Sequence, residues 1–245
     1  LKIAVMQPTF NPWMGYFDLI NSVDLFVFLD TVQLAKRSWQ TRNRLKINDR
    51  EHIISIPIKK EVGRDKTRLI NAKIANRDWA QKSIKSIEMS YKKANYFNSV
   101  FSFVKDLLLD DATFLSTYNS GIIKRVCSAI GISTEFIYSS QLGKLSGSKD
   151  RLLFNICKKV EADTYVSPRG SLSYLAENNA GEYFLKENIA LYYHNYEHPI
   201  YPQVGKIFLP YMGIVDLLLN VGIESAKEVI VSGHKDEIFY KDLRL

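Results

Sequence analysis

The chain has 245 residues, 46% of them hydrophobic, with two cysteines and a formal charge of +7. That length fits one large domain or two small ones, and the apolar fraction is that of an ordinary globular protein. No run of about 18 apolar residues is present, which excludes a membrane-spanning helix of the usual kind. No basic and apolar leader precedes Leu1, so a cytoplasmic location is the expectation.

Lys2 to Met6 reads as a buried strand, and two prolines and a glycine then break the chain into a tight loop, Gln7 to Gly15. Helical spacing resumes at Tyr16, and a second buried strand from Asp24 ends on Asp30. A loop that follows a first strand and opens a helix is where open α/β sheets bind ligands. Arg37 to Ile47 and His52 to Ile58 read as strands, Glu61 to Arg68 as a charged loop, and Leu69 to Ala75 as a further strand from its alternation. Three helices follow: one from an Asp78 cap to about Ala94, one over Phe97 to Leu109, and one from Thr113 to Ile130, stopped by Gly131. The α/β pattern returns with a strand at Glu135 to Tyr138, a loop to Gly147, and a helix from Lys149 to Val160 capped by Ser148. Next come a strand at Thr164 to Val166, short helical turns near Leu172 and Glu182, and a strand at Ile189 to Tyr193. A proline-rich loop, His198 to Gln203, leads to helices at Met212 to Asn220 and Ser225 to Val231. The expected fold is α/β: a mostly parallel sheet with flanking helices and a helical insertion at about 76–131. Residues 1–245 are read as one domain, the insertion being a subdomain or lid.

Cationic residues cluster at Lys36, Arg37, Arg42, Arg44, Lys46 and Arg50, and again from Lys59 to Arg68. Such a surface attracts phosphate-bearing ligands, a solvated face being the alternative. No nucleic-acid motif and no zinc-ligand spacing is present, so neither nucleic acid nor metal is expected. His194 and His198 stand four apart, which would be metal spacing on a helix, but Pro199 and the tyrosines around them argue against a helix. Cys127 and Cys157 sit on apolar helical faces and read as reduced core thiols.

Gln33, Lys36, Arg37, Trp39, Arg42 and Asn43 mix cations, amides and an aromatic ring, a mixture that suits a nucleotide-sugar. Asp30, at a strand end, and His198, beside Tyr201 and Gln203, are the candidate catalytic residues, each able to take a proton from an amine. Gln7, Trp13 and Tyr16 form a candidate binding wall. Ser148, Lys149 and Arg151 at a helix start are candidates for phosphate or carboxylate. Tyr174 follows a strand end on the crevice side. Asp216 and Asn220, one turn apart on an apolar helix, read as supports of the Gln203 loop.

Thr9-Phe10-Asn11-Pro12 and Trp13-Met14-Gly15-Tyr16 resemble the first loop of nucleotidylyltransferases, with Trp13 and Tyr16 where those enzymes carry triphosphate-binding histidines. A second resemblance covers nearly the whole chain. Gln7-Pro8 through Trp13-x-Gly15-Tyr16-Phe17, Asp30-x-Val32-Gln33 and Lys36-Arg37-Ser38-Trp39-Gln40-x-Arg42-Asn43-Arg44 are similar to the WbqC-like protein family. So are Thr164-Tyr165-x-Ser167, His198-Pro199-x-Tyr201-x-Gln203 and Asp216-Leu217-Leu218-x-Asn220-x-Gly222. The sequence departs from the family pattern at Met212-Gly213 and Lys149-Asp150. The resemblance implies a role in bacterial O-antigen or surface-polysaccharide synthesis, with glycine transfer to an amino sugar suggested for a member of the family. The implied partners are a nucleotide-linked amino sugar and an amino acid or activated acyl donor. ATP is the cofactor the first resemblance implies. A binding module without catalysis and a divergent nucleotidylyltransferase are the alternatives. The aromatic middle helices could hold a homodimer interface, core packing being the other explanation.

Overall fold

In a computed structural model, which describes residues 1–59 and 67–243, a six-stranded sheet lies between two layers of helices. Its strands are β1 (Lys2–Met6), β2 (Leu25–Phe28), β5 (Glu135–Tyr138), β6 (Thr164–Ser167), β7 (Ala190–Tyr196) and β8 (His234–Phe239). They stand in the order β5-β2-β1-β6-β7-β8, every neighbouring pair parallel except β7 with β8. A separate hairpin joins β3 (Arg42–Ile47) to β4 (Arg50–Ser55). Its two-residue turn, Asn48-Asp49, has φ of 51° and 57°, the backbone that matches strand twist.

Side chains alternate across the sheet, so each strand feeds two cores. Ala4, Phe26, Phe28 and Val166 face one side. There they pack under α1 (Met14–Asn21), α2 (Asp78–Tyr91), α3 (Phe97–Leu108), α4 (Leu115–Ala129), α8 (Ile214–Val221) and α9 (Ile223–Ser232). Ile3, Val5, Val27, Tyr165 and Leu191 face the other, under α5 (Lys149–Lys159), α6 (Leu172–Glu177) and α7 (Ala180–Lys186). Both cysteines are buried, and burial pushes the Cys127 thiol up to about 12 and the Cys157 thiol up as well, so neither is a nucleophile at neutral pH.

Several expected boundaries need correction. Residues 37–41 form turns, so the strand expected from Arg37 begins at Arg42. The strand expected over His52–Ile58 is β4, which stops at Ser55. Leu69 to Ala75 is a 3-10 turn (Leu69–Asn71) followed by isolated bridges at Lys73 and Ile74. Among the described residues it pairs only locally, Lys73 with Phe114 and Ile74 with Ile58, and not along a ladder. Asp78 is the first helical residue and Arg77 the cap, so Asp78 acts through the helix dipole. Ser148 flanks α5 but makes no capping bond. Most of the charged loop expected over Glu61–Arg68 lies outside the described residues. Gly131 stops α4 at φ +77°. Among the described residues no helix is long and apolar enough to cross a membrane.

Candidate functional site

Strand order decides where a ligand can sit. From β1 the chain moves to β2 and β5 on one side, then crosses to β6 and β7 on the other. The loops after β1 and β6 therefore diverge, and a crevice opens at their carboxyl ends. Three lobes lie there, of about 340, 210 and 340 Å³, each with Met6 in its wall. The first is lined by Thr9, Trp13, Tyr16, Trp39, Asn43, Arg44 and Tyr211. The second includes Trp13, Tyr16, Arg169, His194 and Tyr196, and the third Gln7, Trp39, Gln40, Pro168, Ser171 and Tyr174.

The walls are held by backbone-directed bonds between distant segments. Phe10 N–H donates to Trp39 O (3.0 Å), and Asn43 Nδ2 donates to Phe10 O (2.8 Å). Asn119 Nδ2 donates to both Pro8 O and Gln40 O, and Gln40 Nε2 donates to Gln7 Oε1. Tyr16 Oη donates to Gln7 O (2.9 Å), and burial raises its pKa well above that of a free phenol. Gly213 N–H donates to Arg44 O, and Ile214 N–H to Pro12 O. A Cβ on Gly213 would meet the Asn11 amide and come within 2.6 Å of Asn11 O. We expect Gly213→Ala to lower the thermal midpoint by several degrees and to weaken ligand binding, since backbone at Asn11 cannot yield without moving Trp13. Thermal melts and ligand titration of the variant check this.

Trp39 is 44% exposed and belongs to two lobes. The Arg44 and Arg42 guanidinium carbons lie 4.8 and 5.9 Å from its ring centroid. Arg44 Nε is 3.1 Å from Glu51 Oε1, while Arg42 Nε is buried with no hydrogen-bond partner among the described residues. The wall thus offers one aromatic face flanked by two cations.

Of the residues singled out from sequence, the crevice brings together Gln7, Trp13, Tyr16, Trp39, Asn43 and Tyr174, with Arg42 behind Trp39. Gln33, in an isolated bridge with Arg68, and Lys36 and Arg37, on an exposed turn ahead of β3, are not among the lining residues of these lobes. Ser148, Lys149 and Arg151 are not wall residues either; Arg151 stacks on Tyr183 at 4.1 Å. Tyr201 and Gln203 are tied to a buried carboxylate. Tyr201 Oη and Gln203 Nε2 both donate to Asp216 Oδ2, at 2.6 and 2.8 Å, and so hold a loop. Asn220 Oδ1 accepts from Val204 N–H (2.8 Å) in the same loop.

The two candidate catalytic residues both have their polar atoms engaged by neighbours. Asp30 is buried, and its oxygens accept from Ser139 Oγ (2.8 Å), Ser140 N–H (3.0 Å) and Ser140 Oγ (2.7 Å). It anchors the 3-10 turn Ser139–Leu142, next to Leu29, which lines the third lobe. His198 donates from Nδ1 to Pro199 O (2.8 Å), and its Nε2 accepts from Tyr211 N–H (3.0 Å). Burial lowers its pKa, so the ring is neutral, with both nitrogens engaged. It stacks on Trp13 at 6.0 Å and 8°, a brace for the wall.

Sequence reasoning passed over Thr9, Arg169, His194 and Tyr211 as wall residues. His194 is on β7, where its Nε2–H donates to Asp18 Oδ2 (2.7 Å), and His234 is half-buried with its Nδ1–H on the same oxygen (2.9 Å). An aspartate among the apolar residues of α1 was the available signal, since a buried carboxylate needs partners.

Comparison with known proteins gives concordant results. The profile of the WbqC-like protein family matches residues 7–228. "Uncharacterized protein Rv1507c" of Mycobacterium tuberculosis is 33% identical over 226 residues, which are 91% of this chain and 95% of that one. No solved structure matches the chain.

Proposed function

The chain belongs to the WbqC-like protein family, and on that premise we propose that it is a transferase of bacterial surface-polysaccharide synthesis. In this reading it forms an amide between an amino acid, glycine foremost, and the amino group of a nucleotide-linked amino sugar. The observation that carries the reading is the Trp39 wall. An exposed ring at a switch-point crevice suits the base of a nucleotide, and Arg42 and Arg44 beside it suit a diphosphate. The lobes, of about 340 and 210 Å³, are of a size for the parts of such a ligand.

One observation favours a second reading. Asp30 and His198 have their polar atoms engaged, which fits a module that binds the nucleotide-sugar without reacting it. A single assay separates the two. Purified protein is incubated with a nucleotide-linked amino sugar, glycine and ATP, and products are read by mass spectrometry. We expect a sugar product heavier by one glycyl residue, with pyrophosphate released if ATP activates the carboxyl group. Tight sugar binding without product, across amino acids and preactivated acyl donors, would establish the module instead.

A further inference from the structure

Asp18, His194 and His234 are 176 and 40 residues apart in sequence and come from three elements, α1, β7 and β8, yet their ligand atoms all lie within 4.8 Å of one another. We propose that these three side chains form a binding site for one divalent transition ion of the zinc type, at the edge of the crevice. Two imidazoles and a carboxylate are the donor set of many zinc sites and of facial-triad iron sites, and such three-residue sites leave coordination positions open.

The geometry fits. Donor atoms ~2.0–2.1 Å from a common ion lie ~2.9–3.4 Å apart at octahedral to tetrahedral angles. The observed separations from Asp18 Oδ2 are 2.7 Å to His194 Nε2 and 2.9 Å to His234 Nδ1, and all three donor atoms lie within 4.8 Å of one another, close enough for side-chain adjustment to bring them around one ion. The carboxylate is almost wholly buried, and the two imidazoles are its side-chain hydrogen-bond partners among the described residues. An ion there would place a full positive charge against the buried carboxylate. Each ring would bind through the nitrogen that now donates, the proton moving to its other nitrogen. His194 belongs to the second lobe, with Trp13 and Arg169, so the open side of the site borders the ligand crevice. An ion in that place supplies an electrophile or a bound hydroxide, which neither Asp30 nor His198 can offer.

The site does not rest on the transferase reading, because metal binding is measured without any sugar. The full chain, stripped with chelator and dialysed, is titrated with zinc by calorimetry and with cobalt by visible absorption. We expect one ion per chain, cobalt bands of a four- to five-coordinate nitrogen–oxygen site, and a higher thermal midpoint with zinc. His234→Gln and Asp18→Asn should each weaken binding at least tenfold, and His52→Gln, at an exposed strand position, should leave it unchanged. His234 is half-buried, so its variant is the one that tests the site if Asp18→Asn fails to fold. Absence of stoichiometric binding by the wild-type chain, or equal binding by folded His234→Gln, would overturn the proposal.

Discussion

Asp216→Ala is expected to lower the thermal midpoint by about 10–20 °C, since a chain of this size loses roughly 2–4 °C per kcal/mol. Asp216 lies in the first turn of α8 with no exposed surface. Its carboxylate accepts from Tyr91 Oη (2.6 Å), Tyr201 Oη (2.6 Å) and Gln203 Nε2 (2.8 Å). Removing it strands three donors, at about 1–3 kcal/mol for each that stays buried and unsatisfied, so about 3–6 kcal/mol after relaxation. Total stability is of order 5–15 kcal/mol, which makes this a large fraction. The same variant releases the loop that carries His198 and Tyr211 towards Trp13, so ligand binding should fall with stability.

The same residue gives a pH signature. Burial disfavours its charged form and raises its pKa, with the hydrogen bonds from Tyr201, Tyr91 and Gln203 pulling back only in part. The folded chain therefore holds this proton more tightly than the unfolded chain. By linkage the stabilisation is full below the ordinary carboxylate value and is lost as pH rises through the raised folded value. Against Asp216→Asn, which cannot titrate, the wild-type advantage in midpoint should be larger at pH 4 than at pH 7. An advantage that grows towards neutral pH would contradict the direction.

Trp39→Ala is expected to weaken binding of a nucleotide-linked sugar about 10–100-fold, from the ~1–3 kcal/mol of stacking a base on an aromatic ring. The fold should be unaffected, because the ring is 44% exposed and the tie from Phe10 N–H runs to the Trp39 backbone. Trp39→Phe should recover part of the affinity. Arg44→Gln should weaken nucleotide diphosphate more than the free nucleoside, since its guanidinium, 4.8 Å from the ring centroid, is placed for phosphate. Equilibrium titration with the nucleoside, its diphosphate and the sugar conjugate reads all three variants. Equal affinities for wild type and Trp39→Ala would remove the wall from the binding site.

The parallel strands were legible because they are buried on both faces and so read as short apolar runs: Ile3–Val5, Phe26–Phe28, Tyr165–Val166. Strand β8 was not, because His-Lys-Asp-Glu-Ile-Phe is an edge strand with charges towards water, and no periodic signal separates it from a loop. At the site, Trp13, Tyr16, Trp39 and Asn43 stood out as aromatic and amide groups in a loop, at a helix start or at a strand start. Asp30 misled, since an acid after a strand reads the same whether it faces a ligand or caps a turn. Its serine partners come 109 and 110 residues later. His194 was hidden for the same reason: its partners, Asp18 and His234, are distant in sequence and meet only through the sheet's strand order and the position of α1 over it.

The ties among Pro8–Pro12, Trp39–Arg44 and Gly213–Ile214 also bear on how the molecule is made. Gln7, Trp13 and Tyr16 emerge from the ribosome early, yet some of the bonds that fix their loop come from a segment some two hundred positions later. Synthesis of the amino-terminal strands therefore yields no competent pocket, and ligand cannot be captured by a growing chain. Binding ability arrives in one step near the end of translation, when α8 docks, so any truncation ahead of Gly213 should give a product that is blind to ligand.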